Sequence, residues 1–468
     1  MASISNLGVG SGLDLNSLLA SITKAESAPL TAINQQQASY NAKLSAYGQL
    51  KSALMALQTA AAALADPTLF QGVTASSTAA DVLTASAGST AASGSYAVNV
   101  TQLAQAKSLA AVGQTLATAP IGGGTINFDF ASGVSTSVTV DANSTLEGIR
   151  NKINAQKDVG VTASIVNDGG ANPFRLVLVS SKTGEASSMD ISVTGGTGTL
   201  TSLFNTVPAN GAVMTETVAA KNAELTVNGL KISSETNTVA GAIQGVTMTV
   251  TKVEASTLTV EKDTKSVESA VTTFVDAYNN LQTIATKLTA FDAGSKPGAA
   301  LTGDSTLRNI QVKIRSALNA VQTGGGLTML SQIGVVSQIG FSFQKENAKK
   351  ESTLQIDSAK LTEALSSNLS GVSTLFSGVG GSGGYGTQLV SLLTGFTASR
   401  GTLDAATNGM NKSLGELDKQ YSTTSERIDA TIARYKAQFT QLDMLMSGMN
   451  QTSSYLTQQF DAMNSSSK

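Results

Sequence analysis

An apolar residue recurs at every seventh position from Tyr421 through Ile428, Tyr435, Leu442, Met449 and Leu456 to Met463. Ile432, Phe439, Met446 and Phe460 form a second row, each four residues after a member of the first. Such alternation of three and four puts both rows on one face of an α-helix, and a helix with that seam needs another helix to cover it. The pattern commits the carboxyl end to a coiled-coil segment. It excludes a strand there, because strand faces alternate with period two.

The amino end makes the same demand. Leu15, Leu18, Leu19 and Ile22 have the spacing of an amphipathic helix, which Pro29 is expected to stop. In the longer helix that follows, Ile33, Tyr40, Tyr47, Leu54 and Ala61 recur every seven residues. Asp66-Pro67 ends it, because proline disfavours helix in the residue before it. A third seam, Val267, Val271, Phe274, Tyr278, Leu281, Ala285 and Leu288, suits packing against the helix of residues 30 to 65. Shorter helices are expected at 304–322 and 358–367, with Asp304 and Asp357 as caps. Gly380 to Gly386, reading GGSGGYG, has the composition of a flexible connector.

Between Gln71 and Lys265 the period switches to two. Tyr96, Val98 and Val100 alternate with small or polar residues, as do Val134, Thr136, Val138 and Val140, then Val161, Ala163 and Ile165, then Leu176 and Leu178. Asn228-Gly229 is a turn signal, and Ser144-Thr-Leu-Glu147 has the spacing of a capping box that opens one short helix. The expected fold class is α+β and multi-domain: a helical coiled-coil bundle formed by both chain termini carries nested, mainly β head domains. Both ends of an inserted domain must return to the bundle, which gives the nesting. The expected plan has terminal leg segments at 1–40 and 425–468 and a bundle at 41–70 and 266–424. A proximal β domain takes 71–120 and 214–265, with a distal one at 121–213 inserted in it.

Composition narrows the function. The chain has no histidine and no cysteine, so serine triads, Cys-His pairs, thiolate metal sites and disulfides are excluded by counting. Carboxylate catalysis, as in glycosidases, survives, but nothing singles out a pair. Thirty Lys and Arg against 32 Asp and Glu give a net charge of −2, which argues against nucleic acid and acidic membranes as partners. Only 13% of residues are charged, and much of the 41% that is hydrophobic is alanine, so cores must be thin or shared along long interfaces. Gly8-Val-Gly10-Ser-Gly12 has no preceding strand and its third glycine comes one residue early, so it reads as a turn rather than a phosphate loop. The amino end has neither a basic start nor a continuous apolar segment, and no run approaches a membrane span. An exported chain of this kind would need a route without a cleaved signal.

The Met and aromatic residues of the carboxyl helix, including Met444, Met446, Met449 and Phe460, have two readings. One is an ordinary intramolecular core. The other is a surface that waits for further copies of the chain, or for a chaperone before assembly, since methionine adapts to more than one partner.

Short motifs run the length of the chain: Leu7-Gly-Val-Gly-Ser-Gly-Leu-Asp-Leu15, Glu26-Ser-Ala-Pro-Leu30, Tyr96-Ala-Val-Asn-Val-Thr-Gln-Leu-Ala104, Leu225-Thr-Val-Asn-Gly229 and Ile243-Gln-Gly-Val246. Phe274-Val-Asp-Ala-Tyr-Asn279, Gly303-Asp-Ser305, Leu354-Gln-Ile-Asp357 and Tyr455-Leu-Thr-Gln-Gln-Phe460 complete the series. In this order they resemble the bacterial flagellar filament caps, the hook-associated protein 2 (FliD) family. The resemblance implies export in unfolded form through the flagellar type III route, and then a ring, pentamer to hexamer, at the filament tip beneath which flagellin folds and inserts. Heads would form the plate and terminal helices the legs. The implied partners are further copies of the chain, flagellin, hook-filament junction proteins, an export chaperone on the carboxyl-terminal helix, and mucin. No cofactor, metal, nucleic acid, membrane insertion or catalysis is implied. Leu15, Leu18, Leu19 and Ile22, with Tyr421, Ile428, Ile432, Tyr435, Phe439, Leu442, Met446, Met449, Leu456 and Phe460, are the candidate assembly residues. A surface adhesin that binds mucin or host glycans through its heads, a self-polymerising flagellin or junction protein, and a surface carbohydrate hydrolase are the alternatives.

Overall fold

Each terminal seam becomes a helix. The computed structural model describes residues 8–9, 11–206, 213–291, 298–339 and 352–465, so Leu7 and Gly10 of the opening motif lie outside the described residues. α1 (Leu15–Glu26) starts after Asp14, whose carboxylate accepts a hydrogen bond from the Ser17 amide at 3.0 Å. α2 (Ala28–Ala65) follows after the single residue Ser27, which is itself helical in φ and ψ. Pro29 therefore does not stop the first helix. It stands in the first turn of the second, where the N–H it lacks would have had no partner in the helix. At the far end Asp66 is extended, and α2 stops before Pro67 as expected.

The chain divides into a helical unit, Met1–Leu69 with Thr264–Lys468, and an inserted unit, Phe70–Asp263. The inserted unit is built on antiparallel β-sheets. One sheet orders the strands Val73–Ser77, Ala255–Lys262, Gly94–Gln102, Ala223–Val227 and Leu230–Ser234; a smaller one orders Thr238–Ile243, Val246–Val250 and Leu83–Ala87. Their inner faces share one core that includes Leu83, Val98, Leu225, Met248 and Leu258. The hairpin at Asn228-Gly229 has φ of 48° and 84° at its two turn residues, which matches a turn that twists with its strands. A second core, from Leu109 to Met214, lies among the strands Ser108–Ala110, Gly124–Phe130, Ser135–Val140, Val161–Asn167, Phe174–Ser180, Met189–Thr194 and α3 (Leu146–Ala155). α3 is capped by Thr145, which accepts from the Gly148 amide at 3.1 Å; the expected cap, Ser144, stands one residue too early. Thr145 is extended at ψ 169°, so its hydroxyl faces the free amides of the first turn.

In the helical unit, α4 (Thr264–Thr289) packs on α2 through the predicted seam, and all seven of its named residues are buried. α5 (Ser305–Asn319) is capped by Asp304, which accepts the Leu307 amide at 2.8 Å on one oxygen and the Tyr47 hydroxyl at 2.8 Å on the other. One carboxylate thus ties α2 to α5. Burial above all, and then this bond to a carboxylate, push Tyr47 up to about 12. Asn279 of α4 holds Leu354 by donating to its carbonyl at 2.9 Å and accepting from its amide at 2.8 Å, so two motifs far apart in sequence meet here. α6 (Ser358–Ser367) follows the cap Asp357, and α7 (Leu369–Ser377) presents Phe376 edge-on to Phe274 at 6.3 Å.

The segment 380–386 is not a connector throughout. Its last two residues open α8 (Tyr385–Thr397), and Tyr385 is buried with its hydroxyl donating to the Ala320 carbonyl at 2.6 Å. At Gly386 an added Cβ would lie 2.9 Å from the Ala61 carbonyl oxygen. Glycine there, facing the alanines of α2, lets the two helices approach closely.

Candidate functional surface

The carboxyl-terminal helix, α9 (Thr402–Ser465), is set by a tight reversal after α8. Arg400 has a φ of 64°, and Asp404 in the first helical turn accepts its amide at 2.8 Å. From that anchor α9 first runs along α2, where Leu403, Leu417 and Ile428 are buried and Gln37 donates to Asp418 at 2.6 Å. α1 then returns onto it. The Ser11 amide and hydroxyl both donate to Asp443, at 2.8 and 2.5 Å, and Leu15 is 3% exposed.

The candidate assembly residues fall into three groups along this path. Leu15 and Ile428 are buried; Leu19, Ile22, Tyr421, Ile432, Tyr435, Phe439 and Met446 are half-buried, with the Tyr435 and Phe439 rings 6.3 Å apart. Leu18 faces away from the contact and is exposed. From Leu442 onward the seam is largely uncovered among the described residues: Leu442 is 39% exposed, Leu456 48%, Met449 64% and Phe460 63%.

Two further residues widen this apolar face. Leu445 and Tyr455 are exposed although neither sits on the heptad rows, and with Met444 they broaden the stripe beyond a two-row seam. Their signal in the sequence was composition rather than spacing, since Asp443 is the only charge between Ala437 and Phe460. Gly448, Thr452 and Ser453 are small and lie between Met444, Leu445, Met449 and Leu456, so the face is grooved. Among the described residues no helix is long and apolar enough to cross a bilayer. Among the described residues no cluster of His, Cys, Asp or Glu could hold a metal ion. What the face can do is bury apolar area against another helix, at about 25 cal/mol per Å² removed from water.

Comparison with known proteins agrees along the chain. Residues 220–451 match the family described as flagellar hook-associated protein 2 C-terminus, residues 11–107 its N-terminus, and residues 121–182 the flagellin hook IN motif. The chain is 42% identical over 494 residues to flagellar hook-associated protein 2 of Escherichia coli strain K12, and 41% over 480 residues to that of Salmonella typhimurium strain LT2, covering 100% of both chains in each case. Its fold is similar to the crystal structure of the flagellar cap protein FliD D1-D2-D3 domains from Escherichia coli, with a TM-score of 0.62 and 33% identity over 78% of this chain and 99% of that one.

Proposed function

The chain belongs to the flagellar hook-associated protein 2 family, the filament caps exported to the flagellum tip, and on that premise we propose how its parts divide the work. Copies of the chain assemble as a ring through their terminal segments, 1–40 and 425–468. The bundle of 41–70 and 266–424 carries the head, with 71–120 and 214–265 as its proximal domain and 121–213 as its distal one. Flagellin folds and inserts beneath the ring and is kept from the medium. The observation that carries this reading is the uncovered apolar face of α9 from Met444 to Phe460. An exported protein with such a face needs a partner on it at both ends of its journey. Before export that partner is a chaperone of the flagellar pathway, and after it neighbouring copies, flagellin or the junction proteins beneath.

The work is binding, confinement and release rather than bond chemistry. The open part of the seam includes Met444, Met446 and Met449, whose flexible thioethers can repack on a shifting partner, so subunits can move as each flagellin is added. Met449→Asp with Leu456→Asp tests the proposal. Both side chains are exposed in the monomer, so its thermal unfolding should be unchanged, whereas two unpaired charges in an apolar interface should cost several kcal/mol of assembly. A strain with only this variant is expected to form hooks, shed flagellin into the medium and carry short or no filaments. Added wild-type protein should restore motility from outside. Full-length filaments with the variant secreted normally would refute the proposal.

A further inference from the structure

The two cores of the inserted unit are linked by two passages of the backbone, between Gln102 and Ser108 going out and between Val218 and Ala223 coming back. These passages pair with each other through Gln105 and Lys221, amide to carbonyl at 2.9 and 3.2 Å. A two-stranded ribbon alone is a natural hinge, since it bends across its flat face while keeping its bonds.

A third strut removes that freedom. The loop between Ser180 and Met189 reaches from the outer core to both passages and beyond. Its Gly184 amide donates to the Gln105 carbonyl at 3.1 Å, its Glu185 amide to Asn222 Oδ1 at 2.8 Å, and its Thr183 hydroxyl to the Glu235 carbonyl at 2.7 Å. Asn222 is itself held by Gln102, which donates to its carbonyl at 2.9 Å. The loop is fixed to its own core by two buried serines: the Ser180 hydroxyl donates to the Ser187 carbonyl at 2.7 Å, and the Ser187 hydroxyl to the Gly184 carbonyl at 2.8 Å. At the centre only glycine fits. Gly184 has φ 93° and ψ 157°, a region closed to residues with a Cβ, and an added Cβ would lie 2.7 Å from the Glu235 carbonyl oxygen and 2.8 Å from its Cα.

We infer that the Gly184 loop locks the two cores of the head into one rigid body, and that the Gln105–Lys221 ribbon is the hinge it suppresses. The lock is independent of the helical seams. It makes a displacement of the inner core carry the outer core with it instead of being absorbed between them.

The full-length chain suits a distance measurement because it has no native cysteine. Val166→Cys on the outer core and Leu230→Cys on the inner core place nitroxide labels at exposed positions for double electron–electron resonance. The parent should give one narrow distance. Gly184→Val should lose it to a broad or split distribution. Thr183→Val with Asn222→Ala, which removes two of the loop's bonds without adding a side chain at 184, should broaden it in the same sense but less. Circular dichroism and a cooperative thermal transition establish that the double variant is folded. A narrow, unchanged distance in that folded double variant overturns the inference, whatever Gly184→Val does.

Discussion

α9 carries one apolar repeat along its length, yet its two halves live in different surroundings. Beside α2 the repeat is covered, with Ile428 buried and Tyr421 half-buried; from Leu442 onward Met446 is half-buried and Leu442, Met449, Leu456 and Phe460 face solvent. The helix does not change its pattern where its intramolecular partner ends. What changes is the share of methionine: Met410 alone stands in the first half, whereas Met444, Met446, Met449 and Met463 stand in the second. Branched aliphatic side chains fit one fixed core, whereas flexible thioethers and aromatic rings accept several partners. Periodicity therefore tells that a face is apolar, and residue type tells how permanent its cover is.

The comparison breaks most sharply in the bundle. Leu54→Ala removes a fully buried side chain from α2 and should cost about 2–5 kcal/mol, read as a lower thermal midpoint of the helical unit. A cost near zero there would mean that the bundle is not the rigid half of the contrast.

Alkali should find the same rigid half. Tyr47 has a folded pKa of about 12 against an unfolded value of about 10, so its contribution is fully present below pH 10 and is lost as pH rises through 12. Burial raises Tyr385 and Tyr278 in the same direction. The helical unit should lose on the order of 2 kcal/mol from Tyr47 across that window. Tyr47→Phe should flatten this part of the pH dependence, which thermal melts from pH 9 to 12 would record.

The smallest effect is the most telling. Leu456→Ala deletes as many carbons as Leu54→Ala, but in the dilute monomer it should change stability by no more than about 0.5 kcal/mol. A loss of several kcal/mol would show that the distal seam is already packed within one chain.

The sequence announced much of this architecture, and where it fell short the reasons are physical. The heptads of α9, the seam of α4, the caps Asp304 and Asp357 and the Asn228-Gly229 turn were all readable, because each rests on spacing or on a residue's own backbone preference. α8 was hidden because it opens in a glycine run, and what fixes its start is the Ala320 carbonyl that accepts the Tyr385 hydroxyl, a partner remote in sequence. Pro29 misled because a helix stop and a helix start use proline alike, and only the geometry of Ser27 decides between them. Among the candidate assembly residues the sequence could rank none. Leu15 and Met449 both sit in apolar stripes, and their opposite burial depends on where α1 comes back along α9, which the Ser11–Asp443 contact fixes.

Hydrogen exchange on α9 tests the central claim most directly, because it reads cover along one helix in one experiment. In dilute monomer, amides up to about residue 428 should be protected with the bundle, and those from 444 to 460 should exchange fast, since a helix without a partner is marginal in water. On assembly, protection should spread to residue 460 while the first half stays as it was. Equal, strong protection of 444–460 in monomer and assembly would contradict the account, because the distal seam would then need no partner.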